Sequence, residues 1–307
     1  MVAKGSLLQR PSGHQLQIYT TGAEGALPVL LLHGGPGGGA KPADSQYFDL
    51  ASVRLIQFDQ RGTGQSRFNN AFDDNTTQNQ IADIEAIRVS LGIESWAVVG
   101  GSWGALLAVL YAETHPQVVR SLVLRSVFLD RKSDRDWLLR EGGPAPKSRQ
   151  RLIELIGTSE GVFGAIDRQL ADVSNRTAKE LGAAWSHYER VLSGLSDDAK
   201  DPLVLSSRQH LDVRLEMHYL ARGFFVAENQ SANEATKLCE IPGIIIQGVN
   251  DGIIAPDSAL HLSNKWGRAE VRQIPKARHS TQCEVMRLAW QDALSEITSS
   301  KMDGLLS

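Results

Sequence analysis

The stretch Val98-Val99-Gly100-Gly101-Ser102-Trp103-Gly104-Ala105-Leu106-Leu107 decides how the rest of the chain is read. An apolar run leads into a serine flanked by glycines, and a second apolar run leaves it. This is a G-x-S-x-G elbow, in which a buried strand turns sharply into a helix and presents the serine on the turn. So tight a turn imposes strained backbone angles and leaves room for almost no neighbouring side chain, and Gly100 and Gly104 meet both demands. The helix starting here turns its N-terminal amides and the positive end of its dipole toward the serine oxygen, where negative charge develops in acyl transfer. Ser102 is the candidate nucleophile. A five-residue pattern can also be a plain turn, so the case depends on partners elsewhere in the chain.

Outward from the elbow, strands and helices alternate. Upstream, Gln15–Thr20 alternates polar and apolar residues, Pro28–His33 is a continuous apolar run, and Val53–Phe58 is a third strand. Thr76 and Thr77 then open a helix with Ile81, Ile84, Ile87 and Leu91 at helical spacing, ended by Gly92. Downstream, the elbow helix stops near His115-Pro116 and the strand Ser121–Arg125 follows. This alternation predicts an α/β fold with a mostly parallel, doubly wound sheet. From Phe128 to Lys237 strand-like runs vanish, and 149–156, 176–193 and 208–222 read as amphipathic helices. We read 128–237 as an inserted helical cap and 1–127 with 238–307 as one core. Alternation resumes with Gly243–Gln247, a helix after Pro256-Asp257, the strand Glu270–Ile274 and a closing helix Glu284–Ile297.

Bulk composition narrows the classes of function. A chain of 307 residues with 42% hydrophobic content can bury a large core. Its net charge of −3, with no long Lys/Arg cluster, argues against nucleic acid or an anionic membrane as partner. No apolar run reaches the ~18 residues of a membrane span. Two cysteines, Cys239 and Cys283, make no disulfide framework and read as packing residues, and Met1–Ser6 lacks the apolar core of a signal peptide. A cytoplasmic protein is expected.

A serine hydroxyl needs a base, usually a histidine held in one tautomer by a carboxylate. In strand-elbow-helix hydrolases the chain order is Ser, acid, His, with acid and base on loops after late strands. Asp251 follows the strand ending at Gln247, and His279 follows the strand ending at Ile274. Asp257 reads as a cap of the next helix and His261 falls inside that helix, so Asp251 and His279 are the candidate acid and base. The oxyanion formed on attack requires two preorganised N–H donors. Trp103, just after the serine, supplies one, and Gly35, in His33-Gly34-Gly35-Pro36-Gly37-Gly38-Gly39, supplies the other. This glycine loop lacks the Lys-Ser/Thr ending of a P-loop and the G-x-G-x-x-G spacing of a dinucleotide fold. In Asp59-Gln60-Arg61-Gly62-Thr63-Gly64-Gln65-Ser66 we expect Asp59 and Arg61 to pair and brace the loop.

Together, His33–Gly39, Asp59–Ser66, Asn75-Thr76-Thr77 with Ala82-Asp83-Ile84-Glu85, and Gly100–Gly104 resemble the proline iminopeptidase family of α/β-hydrolase serine peptidases. The likeness is dense from 28 to 130 and moderate from 240 to 285. It implies an α/β-hydrolase fold and removal of an N-terminal proline from a small peptide or amide, without metal or cofactor. It also implies a triad at Ser102, Asp251 and His279, and cap glutamates that hold the substrate's free amino terminus. The cap stretches Trp185-Ser186-His187-Tyr188-Glu189 and Leu215-Glu216-Met217-His218-Tyr219 make Glu189 and Glu216 the candidates. Departures from the family pattern cluster around the acyl pocket: Leu138–Pro146 lacks aromatic residues, and Lys276-Ala277-Arg278 replaces a glycine-containing lead-in to the histidine. An esterase or amidase of another small acyl compound, or a ligand-binding protein that keeps the fold, would share the same framework.

Overall fold

The computed structural model describes residues 4–172 and 174–298, so 1–3 and 299–307 of the expected core lie outside the described residues. Its strands are β1 (Lys4–Gln9), β2 (Gln15–Thr21), β3 (Leu27–Leu32), β4 (Val53–Phe58), β5 (Trp96–Gly101), β6 (Val119–Arg125), β7 (Gly243–Gly248) and β8 (Ala269–Ile274). They form one sheet in the order β1-β2-β4-β3-β5-β6-β7-β8. The pairs β1–β2 and β2–β4 are antiparallel and every other pair is parallel. The expected doubly wound sheet is present, with an antiparallel edge.

All six residues of β5 are buried, because both faces of the sheet are covered there. Successive side chains point to opposite faces, so Val98 joins the apolar layer on one side and Val99 the layer on the other. The first layer is closed by helices α1 (Thr77–Ser90) and α2 (Trp103–Thr114). Every residue of α2 except Thr114 is buried, as expected of a helix that is apolar all round and enclosed by its neighbours.

Between β6 and β7 the chain leaves the sheet for an inserted helical cap: α3 (Lys132–Leu138), α4 (Pro146–Ile156), α5 (Val162–Leu170), α6 (Arg176–Leu192) and α7 (Ser207–Leu220). Local chemistry sets its helix starts. The Asn175 side chain accepts the Thr177 N–H, and Ser206 and Gln209 form a reciprocal capping box. The cap is tied to the core by α7, where the Tyr219 hydroxyl donates to Asn75 Oδ1 at 2.7 Å and His218 Nε2 meets the Asn75 carbonyl at 2.9 Å. After α8 (Gln230–Glu234) the sheet resumes. Helix α9 (Asp257–Trp266) follows β7, and α10 (Glu284–Ser295) lays Met286, Trp290, Ala293 and Leu294 on the second face.

Several details differ from expectation. Helices α3 and α5 are short, seven and nine residues, too brief for a sustained periodic signal. Strand β1 is exposed along most of its length and is held by backbone pairing to β2, so no burial pattern marks it. Asp59 and Arg61 do brace their loop, but not by pairing with each other. Arg61 makes a buried two-pronged bond to Asp83 of α1, at 2.7 and 2.9 Å. Asp59 instead accepts the Ala40 and Gln65 amides, both at 2.7 Å, and the Tyr19 hydroxyl at 2.9 Å. Spacing alone suggested that adjacent opposite charges meet, whereas the fold offers each a better-placed partner. Asp257 lies in the first turn of α9, after Pro256, and pairs with Arg131 at 3.2 Å. Cys239 is exposed and so packs nothing, while Cys283 is half-buried. Among the described residues no helix is long and apolar enough to cross a membrane.

Candidate active site

Ser102 stands between β5 and α2 with φ 58° and ψ −126°, a left-handed conformation that costs an L-residue energy and recurs where geometry serves function. Its N–H is held by the Arg125 carbonyl at 2.9 Å. The glycines around it are required by close approach. A Cβ on Gly100 would lie 2.2 Å from the Gly104 carbonyl oxygen, and one on Gly104 would lie 2.4 Å from that of Leu32.

On the loop after β8, His279 Nδ1 lies 2.9 Å from Asp251 Oδ2. The other oxygen, Oδ1, accepts the Ile253 and Ile254 amides, each at 2.9 Å. Burial by itself would push this carboxyl up. The positive charge and hydrogen bond of His279 and the Ile254 amide outweigh it, and Asp251 sits below the ordinary aspartate value. An ionised Asp251 accepts Nδ1–H, which leaves Nε2 as the basic nitrogen of His279.

Arg125 connects the two halves of this arrangement. Its carbonyl holds the Ser102 amide, its guanidinium donates to the His279 carbonyl, and the Trp290 ring lies 5.8 Å from it. The sequence reading gave it no role. The signal was a charged residue directly after the apolar Leu122-Val123-Leu124 at the end of β6.

The glycine loop presents Gly35 through its peptide plane. The Gly34 carbonyl accepts His33 Nδ1–H at 2.9 Å and the Gly38 N–H at 3.2 Å. The 34–35 peptide is trans and planar, so fixing that carbonyl fixes the Gly35 N–H in the opposite direction. Burial pushes His33 down to about 4, so it is a neutral imidazole at physiological pH.

A cavity of about 410 Å³ opens between sheet and cap. Ser102, Trp103, Gly35 and His279 border it from the core, and Glu189 and Glu216 border it from the cap. Phe128 and Phe224, whose ring centroids are 5.1 Å apart, form part of its apolar wall. Asp251 lies behind His279, only 1% exposed. The structure thus brings all seven sequence-predicted residues to one place.

Glu189 on α6 and Glu216 on α7 hydrogen-bond to each other, and the Trp185 indole N–H donates to Glu216 Oε2 at 3.0 Å. Burial raises both carboxyls. The charge of Glu189 and the hydrogen bond between them raise Glu216 further. The pair therefore carries one proton and one negative charge, because two adjacent buried carboxylates cannot both ionise at ordinary pH. A cavity with a nucleophilic serine at one wall and a single buried negative charge at the other suits a cationic substrate with a reactive carbonyl.

Comparison with known proteins agrees with this architecture. The family described as "alpha/beta hydrolase fold" matches residues 28–284. The proline iminopeptidase of Xylella fastidiosa is 36% identical over 275 residues, covering 87% of this chain and 88% of that protein. That of Neisseria gonorrhoeae is 36% identical over 282 residues, covering 87% of each. Among solved structures, a haloalkane dehalogenase variant from Bradyrhizobium elkanii superposes with a TM-score of 0.65 at 20% identity, covering 98% of each chain. An α/β hydrolase from a Medee basin deep-sea metagenome library gives a TM-score of 0.62 at 17% identity, covering 97% of each. At such identities these two structures speak only to the fold. With the family model matched over residues 28–284 and an identity above 30% across most of its length, the chain belongs to the proline iminopeptidase family of α/β-hydrolase-fold proteins.

Proposed function

We propose that this protein is a serine hydrolase that removes an N-terminal proline, or a similar small residue, from peptides or amides through an acyl-enzyme. The observation that carries the reading is the facing of Ser102 and His279 by the singly charged Glu189–Glu216 pair across one cavity. In this reading His279 Nε2 takes the Ser102 proton as Oγ attacks the scissile carbonyl, and ionised Asp251 orients and stabilises the imidazolium. The amides of Trp103 and Gly35 hold the oxyanion. His279 then protonates the leaving amine, and a water deprotonated by the same histidine releases the free acid. Glu189 and Glu216, with one negative charge between them, receive the substrate's ammonium group. The relatives named above carry the name proline iminopeptidase, which supports proline as the residue removed.

We assign the described residues of 128–237 to the cap and those of 1–127 and 238–307 to the core. Cys239 and Cys283 are both free thiols, which supports a reducing cytoplasm. The test compares release of a chromogenic amine from Pro-anilide, from its N-acylated form and from short-chain aryl esters. Turnover of Pro-anilide with little of the acylated form is expected. Ester cleavage without Pro-anilide turnover would make the protein an esterase.

A further inference from the structure

Gln60 follows β4 in the Asp59–Ser66 segment, is 2% exposed, and bonds to both halves of the proposed oxyanion hole without lining the cavity. Its side-chain carbonyl accepts the Trp103 indole N–H at 2.8 Å. Its side-chain NH₂ donates to the His33 carbonyl at 3.0 Å, and its backbone N–H donates to His33 Nε2 at 3.2 Å. That last bond makes Nε2 an acceptor, so the ring hydrogen of neutral His33 is on Nδ1, where it donates to the Gly34 carbonyl. The Gly34 carbonyl in turn orients the Gly35 N–H through the shared peptide plane. On the other side, the Trp103 ring is held between Gln60 and the rings of Tyr219 and Phe224, at centroid distances of 4.9 and 5.3 Å.

We propose that Gln60 is a positioning residue that couples the two oxyanion donors, fixing Trp103 through its indole and Gly35 through His33. The inference rests on the assignment of Trp103 and Gly35 as donors. One amide side chain, with its own backbone N–H, sets the separation of two groups on different loops, the one between β3 and β4 and the elbow between β5 and α2. It does so from a buried position where water cannot substitute for the lost bonds. A donor displaced by about 1 Å costs on the order of 10²-fold in rate, similar to removing an oxyanion donor outright.

The experiment measures the second-order labelling rate of Ser102 by a fluorophosphonate, whose phosphoryl oxygen occupies the oxyanion position and which requires no particular acyl group. It is paired with kcat and KM for Pro-anilide, each per titrated active site. Gln60→Leu should label about 100-fold more slowly and lose kcat by a similar factor, with KM within threefold. Trp103→Phe, which keeps the backbone amide but removes the indole donor, should lose about tenfold in both by the same logic. The double variant should be no slower than Gln60→Leu alone, because the two changes break the same link. A merely structural Gln60 would lower Tm and the titratable fraction but leave the rate per active site unchanged. Labelling of Gln60→Leu within threefold of the unmodified protein overturns the proposal, and if that variant does not fold, a Trp103→Phe rate within twofold does so. Failure of the unmodified protein to label at all would instead overturn the hydrolase reading itself.

Discussion

Replacing Glu189 by glutamine should separate binding of the amino terminus from the chemistry at Ser102. Glu189 and Glu216 share one proton and one negative charge, so Glu189→Gln removes a carboxylate that balances a bound ammonium. Leaving a desolvated charge without its partner costs about 2–5 kcal/mol. At about 3 kcal/mol, and ~1.4 kcal/mol per tenfold, kcat/KM for Pro-anilide should fall roughly 100-fold. The matching aryl ester without an amino group should change by less than about threefold, since it places no cation in the pocket. The pH dependence has a definite sign. Glu189 is raised above the ordinary glutamate value by burial, so as pH falls the pair takes up its second proton earlier than a free glutamate would, and the negative charge disappears. kcat/KM for the free amine should therefore fall on the acid side while that of the ester does not show the same step. Steady-state kinetics on the two substrates from pH 5 to 8 read all of this. Equal losses on amine and ester would refute a role for the pair's charge in binding the amino terminus.

Three further outcomes are expected. Asp251→Asn removes the acceptor that selects the Nδ1–H tautomer of His279, and kcat should fall by about 10⁴ with the circular dichroism spectrum unchanged; a loss under tenfold would take Asp251 out of the site. Glu113 on α2 is buried, neither carboxyl oxygen has a hydrogen-bond partner, and burial pushes it up to about 9. Its folded-state value lies above the unfolded one, so its contribution is fully present below about pH 4.5 and is lost as pH rises toward 9. Glu113→Gln should thus gain thermal stability over the unmodified protein between pH 5 and 9, and a Tm difference that stays flat with pH would contradict this. Gly104→Ala places a Cβ 2.4 Å from the Leu32 carbonyl oxygen and should leave no folded protein or lower Tm by more than 10 °C; an unchanged Tm would be incompatible with the elbow geometry.

Much of the site was legible because α/β chemistry is written locally. Ser102, Asp251 and His279 each follow their own strand, and a parallel sheet necessarily gathers such loops at one edge. Glu189 and Glu216 were legible through the resemblance alone, since each also reads as one more polar residue on an amphipathic helix. Their pairing was not legible, because it depends on two residues 27 positions apart in sequence, on different helices, meeting across the cavity. The partners of Asp59 and Arg61 were misjudged for a related reason. Charge pairing over long sequence distance is decided by which groups the fold leaves within reach.

The alternation of strands and helices, the elbow, the reading of a helical insertion and the catalytic candidates follow from the sequence alone, since periodicity and strand-to-helix turns are properties of neighbouring residues. Tertiary structure alone decided the contacts of Arg125 and Gln60, the meeting of the cap glutamates and the walls of the cavity. Those properties arise from burial and from hydrogen bonds between loops that meet only when the sheet is complete, and nothing in the local order of residues encodes the distance between them.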